Sequence, residues 1–207
     1  MRAADSRDLD RSGYLPRLKG SGMEAQTILQ MTQAGQQLAL LGFDASKQSV
    51  LGTALRDYQI VHFATHGFAN SDRPALSGLV LSLYDKQGQP IDGFLTLNDI
   101  YNLRLPVKLV VLSACDSGQG QVVNGEGIVG LTRGFFYAGA ETLIVSLWNV
   151  NDQSTAELMK RFYQVLLSGK DLRPAAALRS AQLSLMRDTQ WHEPYYWAAF
   201  TVQGDWR

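Results

Sequence analysis

The chain of 207 residues has a hydrophobic fraction of 45% and a formal net charge of zero, with 19 basic and 19 acidic residues. This length fits one domain or a slightly extended one, and such a chain can bury roughly 70% of its unfolded surface, which is enough for a substantial core. The balanced charge argues against a nucleic-acid partner, the lack of any apolar run near about 18 residues argues against a membrane span, and the polar amino terminus excludes a secretory signal.

The first 56 residues predict an arm followed by helices. Residues 1–14 are polar and predict an arm or linker, and residues 15–207 predict a single folded domain. Helices are expected over 23–34 and 47–56. Residues 37–43 between them fit either a short buried strand or the end of the first helix, since periodicity does not separate the two.

The middle of the chain predicts strands that end at chemically interesting residues. A β-rich run at 59–65 stops at His66, and a nearly continuous apolar run at 108–114 stops at Cys115. Between them, 78–85 predicts a further strand. Thr96 with Asp99 three residues later predicts the start of a helix.

The last third of the chain predicts alternating helices and strands. A Gly-rich loop is expected at 116–127, a helix at 127–139 and a strand at 141–148. Ser154 with Glu157 predicts a capping box. The helix that follows would bury one face, formed by Leu158, Phe162, Val165 and Leu166. Pro174 suits the first turn of a last helix with Leu178, Ala181 and Leu185 aligned, and 197–204 predicts a closing strand.

Strands that alternate with helices predict an α/β layered fold with a mostly parallel sheet. Ligands bind such sheets at the carboxyl ends of the strands. His66 and Cys115 occupy two of these ends. If their strands are parallel neighbours, both residues emerge at the same edge of the sheet.

A thiol paired with an imidazole is the chemistry of a cysteine peptidase. The thiolate is the nucleophile, and a neighbouring His generates it. His66 precedes Cys115 by 49 residues (115 − 66), close to the spacing of about 50 seen in caspases. The backbone amides of Gly67 and Cys115 are candidate donors to the oxyanion that forms when a carbonyl is attacked.

Each of these residues also has a purely structural interpretation. A single cysteine is more often a small buried apolar residue than a nucleophile, but the position of Cys115 at a strand end opposite a matching His favours catalysis. His62 lies on the strand itself and is interpreted as a packed, hydrogen-bonded core histidine, whereas His192 is interpreted as solvated. The glycines of 116–127 do not fit the phosphate-binding pattern GxxxxGK[ST].

Three residues are candidate substrate contacts. Asp116 either shapes a pocket for a basic side chain or holds its loop through backbone amides, and the loop role is favoured. Trp148, at a strand end, is either a wall of the cleft or a plug in the core. Asp152 is an acidic candidate near the cleft, or it merely precedes the capped helix.

Seven segments of the sequence resemble the bacterial CHAT family, which comprises caspase-like domains related to separases and often found behind tetratricopeptide repeats. The segments are HFATHG (62–67), LSGLVLS (76–82), LVVLSACDSG (109–118), GEGIVGLTRGFFYAGA (125–140), SLWNVND (146–152), the helix at 154–167 and YYWAAF (195–200). They occur in this order between about Leu15 and Asp205, so the resemblance covers nearly the whole chain.

The resemblance implies a caspase-like three-layer α/β/α sandwich, with His66 as base, Cys115 as nucleophile, and the Gly67 and Cys115 amides as oxyanion donors. It also implies that the loop at 146–152 walls the substrate cleft. The expected activity is a cysteine endopeptidase that acts on protein or peptide substrates, with tetratricopeptide-repeat segments as regulatory partners. The alternative is a silent or latent interaction domain of a larger regulatory protein.

The presence of one cysteine restricts the cofactors and the compartment. Because Cys115 is the single cysteine of the sequence, an internal disulfide and a Cys-rich zinc site are both excluded. The proposed chemistry needs no metal or other cofactor. A chain without disulfides fits a reducing compartment, for which the cytoplasm is the simplest choice.

Overall fold

The computed structural model describes residues 15, 17–68, 73–113, 115–116, 126–148, 151–169 and 173–206. Its helices are α1 Lys19–Met31, α2 Lys47–Gly52, α3 Leu97–Tyr101, α4 Glu126–Ala138, α5 Asp152–Leu166, α6 Pro174–Met186 and α7 Pro194–Trp197. Its strands are β1 Ile60–Phe63, β2 His66–Phe68, β3 Gly78–Val80, β4 Phe94–Thr96, β5 Leu109–Leu112, β6 Cys115–Asp116, β7 Thr142–Ser146 and β8 Phe200–Gly204. Short 3-10 turns occur at Gly42–Asp44, Leu55–Asp57 and Pro74–Leu76.

Within the described residues, the central sheet has four strands in the order β1-β5-β7-β8. Strands β1, β5 and β7 are parallel, and β8 pairs antiparallel with β7 at the edge. All residues of β5 and β7 are buried, as expected for strands that are covered on both faces. The mostly parallel sheet predicted from the sequence is confirmed.

Helices cover both faces of this sheet. Leu109 and Val111 of β5 pack in a core with α5 and α6, against which Ile28 and Met31 of α1 also pack. Val110 and Leu112, which alternate with them, pack in a second core with side chains of α3 and α4. The period of two along a strand therefore divides one apolar run between two cores. The three-layer α/β/α sandwich is confirmed.

A second, smaller sheet continues two of the central strands. Its order is β4-β3-β2-β6, with β2 and β6 parallel and the other pairs antiparallel. The register of the central sheet pairs Phe63 with Leu112, and the small sheet pairs His66 with Cys115. Both pairs have the same offset of 49 residues (112 − 63 and 115 − 66), so the two ladders follow one register across the interruption.

The amino-terminal third differs most from the prediction. Helix α1 begins at Lys19, four residues before the predicted 23, and residues 37–43 form neither a buried strand nor the end of a helix. Leu38, Leu41 and Phe43 are exposed, and Leu40 is only partly buried against the core that contains α3 and α4. The prediction was wrong there because hydrophobicity alone does not supply a packing partner.

Several elements elsewhere are shorter than predicted or begin later. The helix expected at 47–56 ends at Gly52, the strand expected at 78–85 is confined to Gly78–Val80, and the closing strand begins at Phe200 rather than 197. Pro174 does open a helix, and Leu178, Ala181 and Leu185 are buried on it. It is not the last helix, because α7 follows.

The cap of α5 was predicted at the wrong residue. Asn151 is the N-cap, and its side chain accepts hydrogen bonds from the amides of Gln153 and Ser154. Ser154, the predicted cap, is fully buried inside the helix. Leu158, Phe162 and Leu166 form the buried face as predicted, whereas Val165 is 39% exposed.

Candidate functional site

His66 is the first residue of β2, in the interior of the small sheet. It pairs with Val80 of β3 on one side and with Cys115 of β6 on the other. Its side chain is only 8% exposed. The strand predicted to end at His66 stops at Phe63 instead, and the His belongs to the next strand along the same path.

Cys115 is the first residue of β6 and is the register partner of His66. Neighbouring strands lie about 4.8 Å apart, so the two backbones are adjacent at the carboxyl ends of β1 and β5. Bringing these residues to the same edge is what a Cys–His dyad requires. The roles of Cys115 as nucleophile and His66 as base stay predictions.

Gly67 and Asp116 form the second pair of the same ladder. Gly67 also pairs with Leu79 of β3. Asp116, expected as the first residue of a loop, is instead the second residue of β6. The rest of the predicted Gly-rich loop, 117–125, lies outside the described residues. The oxyanion roles of Gly67 and Cys115, and the substrate role of Asp116, stay predictions.

Trp148 follows β7 at the same edge of the central sheet. It is 39% exposed, so it is not a plug in the core. Its indole Nε1 donates to the carbonyl oxygen of Tyr195, at 3.2 Å. A partly exposed aromatic ring at this edge fits the wall of a cleft, and its contact with substrate stays a prediction.

The carboxylate of Asp152 contacts α1. Its Oδ2 accepts a hydrogen bond from the amide of Gly20 at 2.5 Å. This contact satisfies one of the free amides at the start of α1, and it accounts for the early start of that helix. Asp152 thus has a structural contact in the fold, and its contact with substrate stays a prediction.

A buried polar cluster beneath these strand ends was missed from the sequence. Glu24 of α1 is 3% exposed, and its Oε2 accepts from the hydroxyl of Ser113 at 3.1 Å. Its Oε1 lies 2.7 Å from Nε2 of His62. The other ring nitrogen of His62, Nδ1, lies 2.9 Å from the phenol oxygen of Tyr163. The interpretation of His62 as a hydrogen-bonded histidine is confirmed.

Burial and charge act together on the phenol of Tyr163. Burial is the larger cause and the negative charge of Glu24 the second, and both raise the pKa of Tyr163 well above its usual value. The phenol therefore stays protonated. One feature of the sequence indicated this cluster: His62 lies within an apolar strand, and a buried polar group there needs a polar partner. It did not say that α1 supplies one.

The described residues hold neither a metal-binding cluster nor a membrane-spanning helix. No group of three or more His, Cys, Asp or Glu residues there is arranged to hold a metal ion. Within the same ranges, no helix combines the length and the apolar character needed to cross a bilayer. His192 is exposed, as expected for a solvated residue.

Comparison with known proteins gives one family and two relatives. The family model of the CHAT domain matches residues 2–205. The chain is 31% identical over 194 residues to human tetratricopeptide repeat protein 28, and 32% identical over 200 residues to the mouse protein of the same name. Each alignment covers 80% of this chain and 8% of the relative, so the chain spans about a twelfth of the length of these relatives.

These matches bear on two expectations. Both relatives are mammalian, so the bacterial origin that the resemblance implies stays a prediction. The family match begins at residue 2 and so includes residues 2–14 of the predicted arm. The arm lies outside the described residues, and the boundary at residue 15 stays a prediction. A family match across nearly all of the chain, on a three-layer α/β/α sandwich, shows that the chain belongs to the CHAT domain family of caspase-like peptidases.

Proposed function

We propose that this domain is a cysteine endopeptidase in which His66 and Cys115 form the catalytic dyad. The observation that carries the proposal is the parallel register of β2 and β6, which makes the two residues direct neighbours. Membership of a caspase-like peptidase family supports it. A protein or peptide is the proposed substrate, and the reducing cytoplasm is the proposed compartment.

The chemistry needs only side chains and backbone of this chain. His66 takes the proton of the Cys115 thiol, and the thiolate attacks the carbonyl carbon of the scissile bond to form a C–S bond. The amides of Gly67 and Cys115 donate to the oxyanion. When the C–N bond breaks, His66 returns the proton to the leaving amine. Water then hydrolyses the thioester and regenerates the thiol.

Cleavage of a peptide library tests the proposal. Replacing Cys115 with Ala removes the nucleophile, and we expect kcat/KM to fall by at least about 10³-fold while the circular dichroism spectrum is retained. His66→Ala should cause a loss of similar order, because the two residues act as a unit. His192→Ala, at an exposed residue outside the dyad, is the control and should be unaffected. Cleavage that persists in Cys115→Ala would exclude the mechanism.

The second candidate is a catalytically silent interaction domain. It is favoured by the relatives, which are named tetratricopeptide repeat proteins and of which this region forms 8%. In that case, repeat segments would be its partners. Alkylation by iodoacetamide separates the two candidates: a peptidase thiol should react quickly at pH 6, and slowly after His66→Ala. If the thiol instead reacts like that of a free cysteine, the interaction domain is favoured.

The same library addresses the three substrate candidates. If Asp116 shapes a pocket, basic side chains should dominate the residue before the cleaved bond, and Asp116→Asn should remove that preference. Trp148 and Asp152 are proposed as lesser contributors, whose substitution should change KM more than kcat.

A further inference from the structure

We propose that Glu24 is a positioning residue for the Cys115–His66 pair, acting from helix α1 through Ser113 and His62. The inference rests on the proposed peptidase function. Glu24 is not a member of the dyad, and it lies outside the seven sequence segments that resemble the CHAT family.

The carboxylate of Glu24 reaches both strands that carry the dyad. Ser113 stands two residues before Cys115, and His62 stands four residues before His66. Glu24 accepts from the Ser113 hydroxyl at 3.1 Å with one oxygen and lies 2.7 Å from His62 Nε2 with the other. One side chain therefore bridges β1 and the end of β5 from the helical layer.

The two strand ends are also joined directly at this level. The amide of Ser113 donates to the carbonyl oxygen of Phe63, at 2.9 Å. This is the last link of the central ladder before the chain passes to β2 and β6, where His66 and Cys115 pair. The Glu24 bridge lies at this interruption, between the pair formed by Phe63 and Leu112 and the pair formed by His66 and Cys115.

Burial makes the bridge specific. Glu24 is 3% exposed and Ser113 4% exposed, and a buried carboxylate must keep its partners because water cannot replace them. Hydrogen bonds to a charged acceptor are the stronger kind and hold their geometry. Tyr163 completes the arrangement by holding the other side of the His62 ring. We infer that a shift of α1 would change the spacing of the strand ends.

The test measures the reactivity of Cys115 rather than turnover. The rate of alkylation by iodoacetamide is followed from pH 5 to 9 in the wild type, Glu24→Ala, Glu24→Gln and Ser113→Ala. If the strand ends separate, the thiolate loses its imidazolium partner and the thiol pKa rises. A rise of one unit lowers the thiolate fraction by about tenfold at a pH well below the wild-type pKa of the thiol, and leaves the rate near pH 9 almost unchanged.

We expect a loss of up to about tenfold at pH 5 for Glu24→Ala, and a loss in the same direction for Ser113→Ala. Glu24→Gln keeps an oxygen that can accept from Ser113, so it should restore most of the rate. The control is Glu157→Ala, which removes a carboxylate of α5 whose partners are Lys160 and Arg161; its pH profile should match that of the wild type. Thermal unfolding of each variant confirms that the assay temperature lies below its midpoint.

Failure of this inference is distinct from failure of the proposed function. A wild type that reacts fast at pH 6, together with Glu24→Ala and Ser113→Ala variants that match it down to pH 5, overturns the positioning role and leaves the dyad intact. A wild type with the profile of a free thiol overturns the dyad and this inference with it. Should Glu24→Ala not fold, Ser113→Ala, which loses a single hydroxyl, decides the question alone.

Discussion

Gly78 lies where two strands of the small sheet approach each other closely. It pairs with Thr96 of β4 and with Phe68 of β2, and a Cβ built on it would lie 2.1 Å from the carbonyl oxygen of Leu95. That atom belongs to a backbone and cannot rotate away. Since β3 also pairs with the strand that begins at His66, the missing side chain is a requirement of the site as well as of the fold.

Gly78→Ala should therefore destabilise the protein. Forcing β3 and β4 apart is an overpacking change, which costs about 1–3 kcal/mol of unfolding free energy. Urea denaturation followed by circular dichroism measures this cost.

Gly22→Ala is the matched control. Gly22 lies within α1, and nothing lies within 4 Å of a Cβ built there. Because Ala is the better helix former, this change should be neutral or stabilise by up to about 1 kcal/mol. Equal effects at the two glycines would contradict the close approach of β3 to β4.

At the scale of an element, α3 begins where the sequence predicted a helix start, and its first turn is a capping box. The Thr96 hydroxyl accepts from the amide of Asp99, and the Asp99 carboxylate accepts from the amide of Thr96. Lys47, from α2, lies 2.8 Å from the same carboxylate. Burial by itself would raise the pKa of Asp99, but hydrogen bonds from Lys47 and Thr96 outweigh it and hold the pKa below its usual value.

Asp99→Asn should lose stability in a pH-dependent way. A carboxyl whose pKa is lowered on folding stabilises the protein above its unfolded-state pKa, and that contribution disappears as the pH falls through the lowered folded-state pKa. We expect a loss of about 1 kcal/mol at pH 7, which shrinks in acid as the wild-type carboxyl protonates. Thermal unfolding of both proteins between pH 7 and pH 2 measures the difference.

The control is Asp92→Asn. Asp92 also contacts Lys47, at 3.0 Å, but its side chain is 67% exposed. An exposed pair contributes about 0–1 kcal/mol, so the effect should be smaller than that of Asp99→Asn at pH 7. A difference between Asp99→Asn and wild type that stays constant in acid would contradict the pairing.

Helix α5 shows where local patterns mislead. Both Asn151 and Ser154 are residue types that cap helices, and Glu157 made the later residue look like the start of a capping box. The structure places Ser154 in the core, where its hydroxyl donates to the carbonyl of Asn151 at 3.0 Å. Asn151 and Ser154 are both suitable caps. Only the rest of the fold, which buries Ser154, decides that Asn151 is the one that caps the helix.

At the scale of the whole molecule, the central sheet separates two apolar cores. Phe135 of α4 lies in one and Phe162 of α5 in the other, and both are fully buried. Phe135 also contacts the ring of Phe63 of β1, with centroids 5.7 Å apart. The strands of the sheet contribute side chains to both cores, so the layers should unfold as one cooperative unit.

The variants Phe135→Leu and Phe162→Leu test this arrangement. Each should lower the unfolding free energy by about 1 kcal/mol. The double variant should lose the sum, since the residues lie on opposite faces and share no contact. Urea denaturation should give one transition with an unchanged m value. Two transitions would mean that the layers unfold separately, and a strong departure from additivity would mean that the two cores are energetically coupled.

The sequence by itself determined the α/β class, the alternation of strands and helices, and the two strand ends that carry His66 and Cys115. These features depend on local runs of apolar residues and on one spacing of 49 residues (115 − 66), and local runs specify strands wherever both faces are buried. The tertiary structure decided the rest. The path of 37–43, the early start of α1 and the cap at Asn151 depend on residues distant in the chain.

The Glu24 cluster is the clearest case of a feature decided by tertiary structure. Glu24 and Ser113 are 89 residues apart, and His62 and Tyr163 are 101 residues apart. No local sequence pattern predicts either of these two contacts. A buried carboxylate is stable only where the complete fold surrounds it with donors. A sequence specifies which side chains need partners, whereas the packing of the layers decides which partners they find.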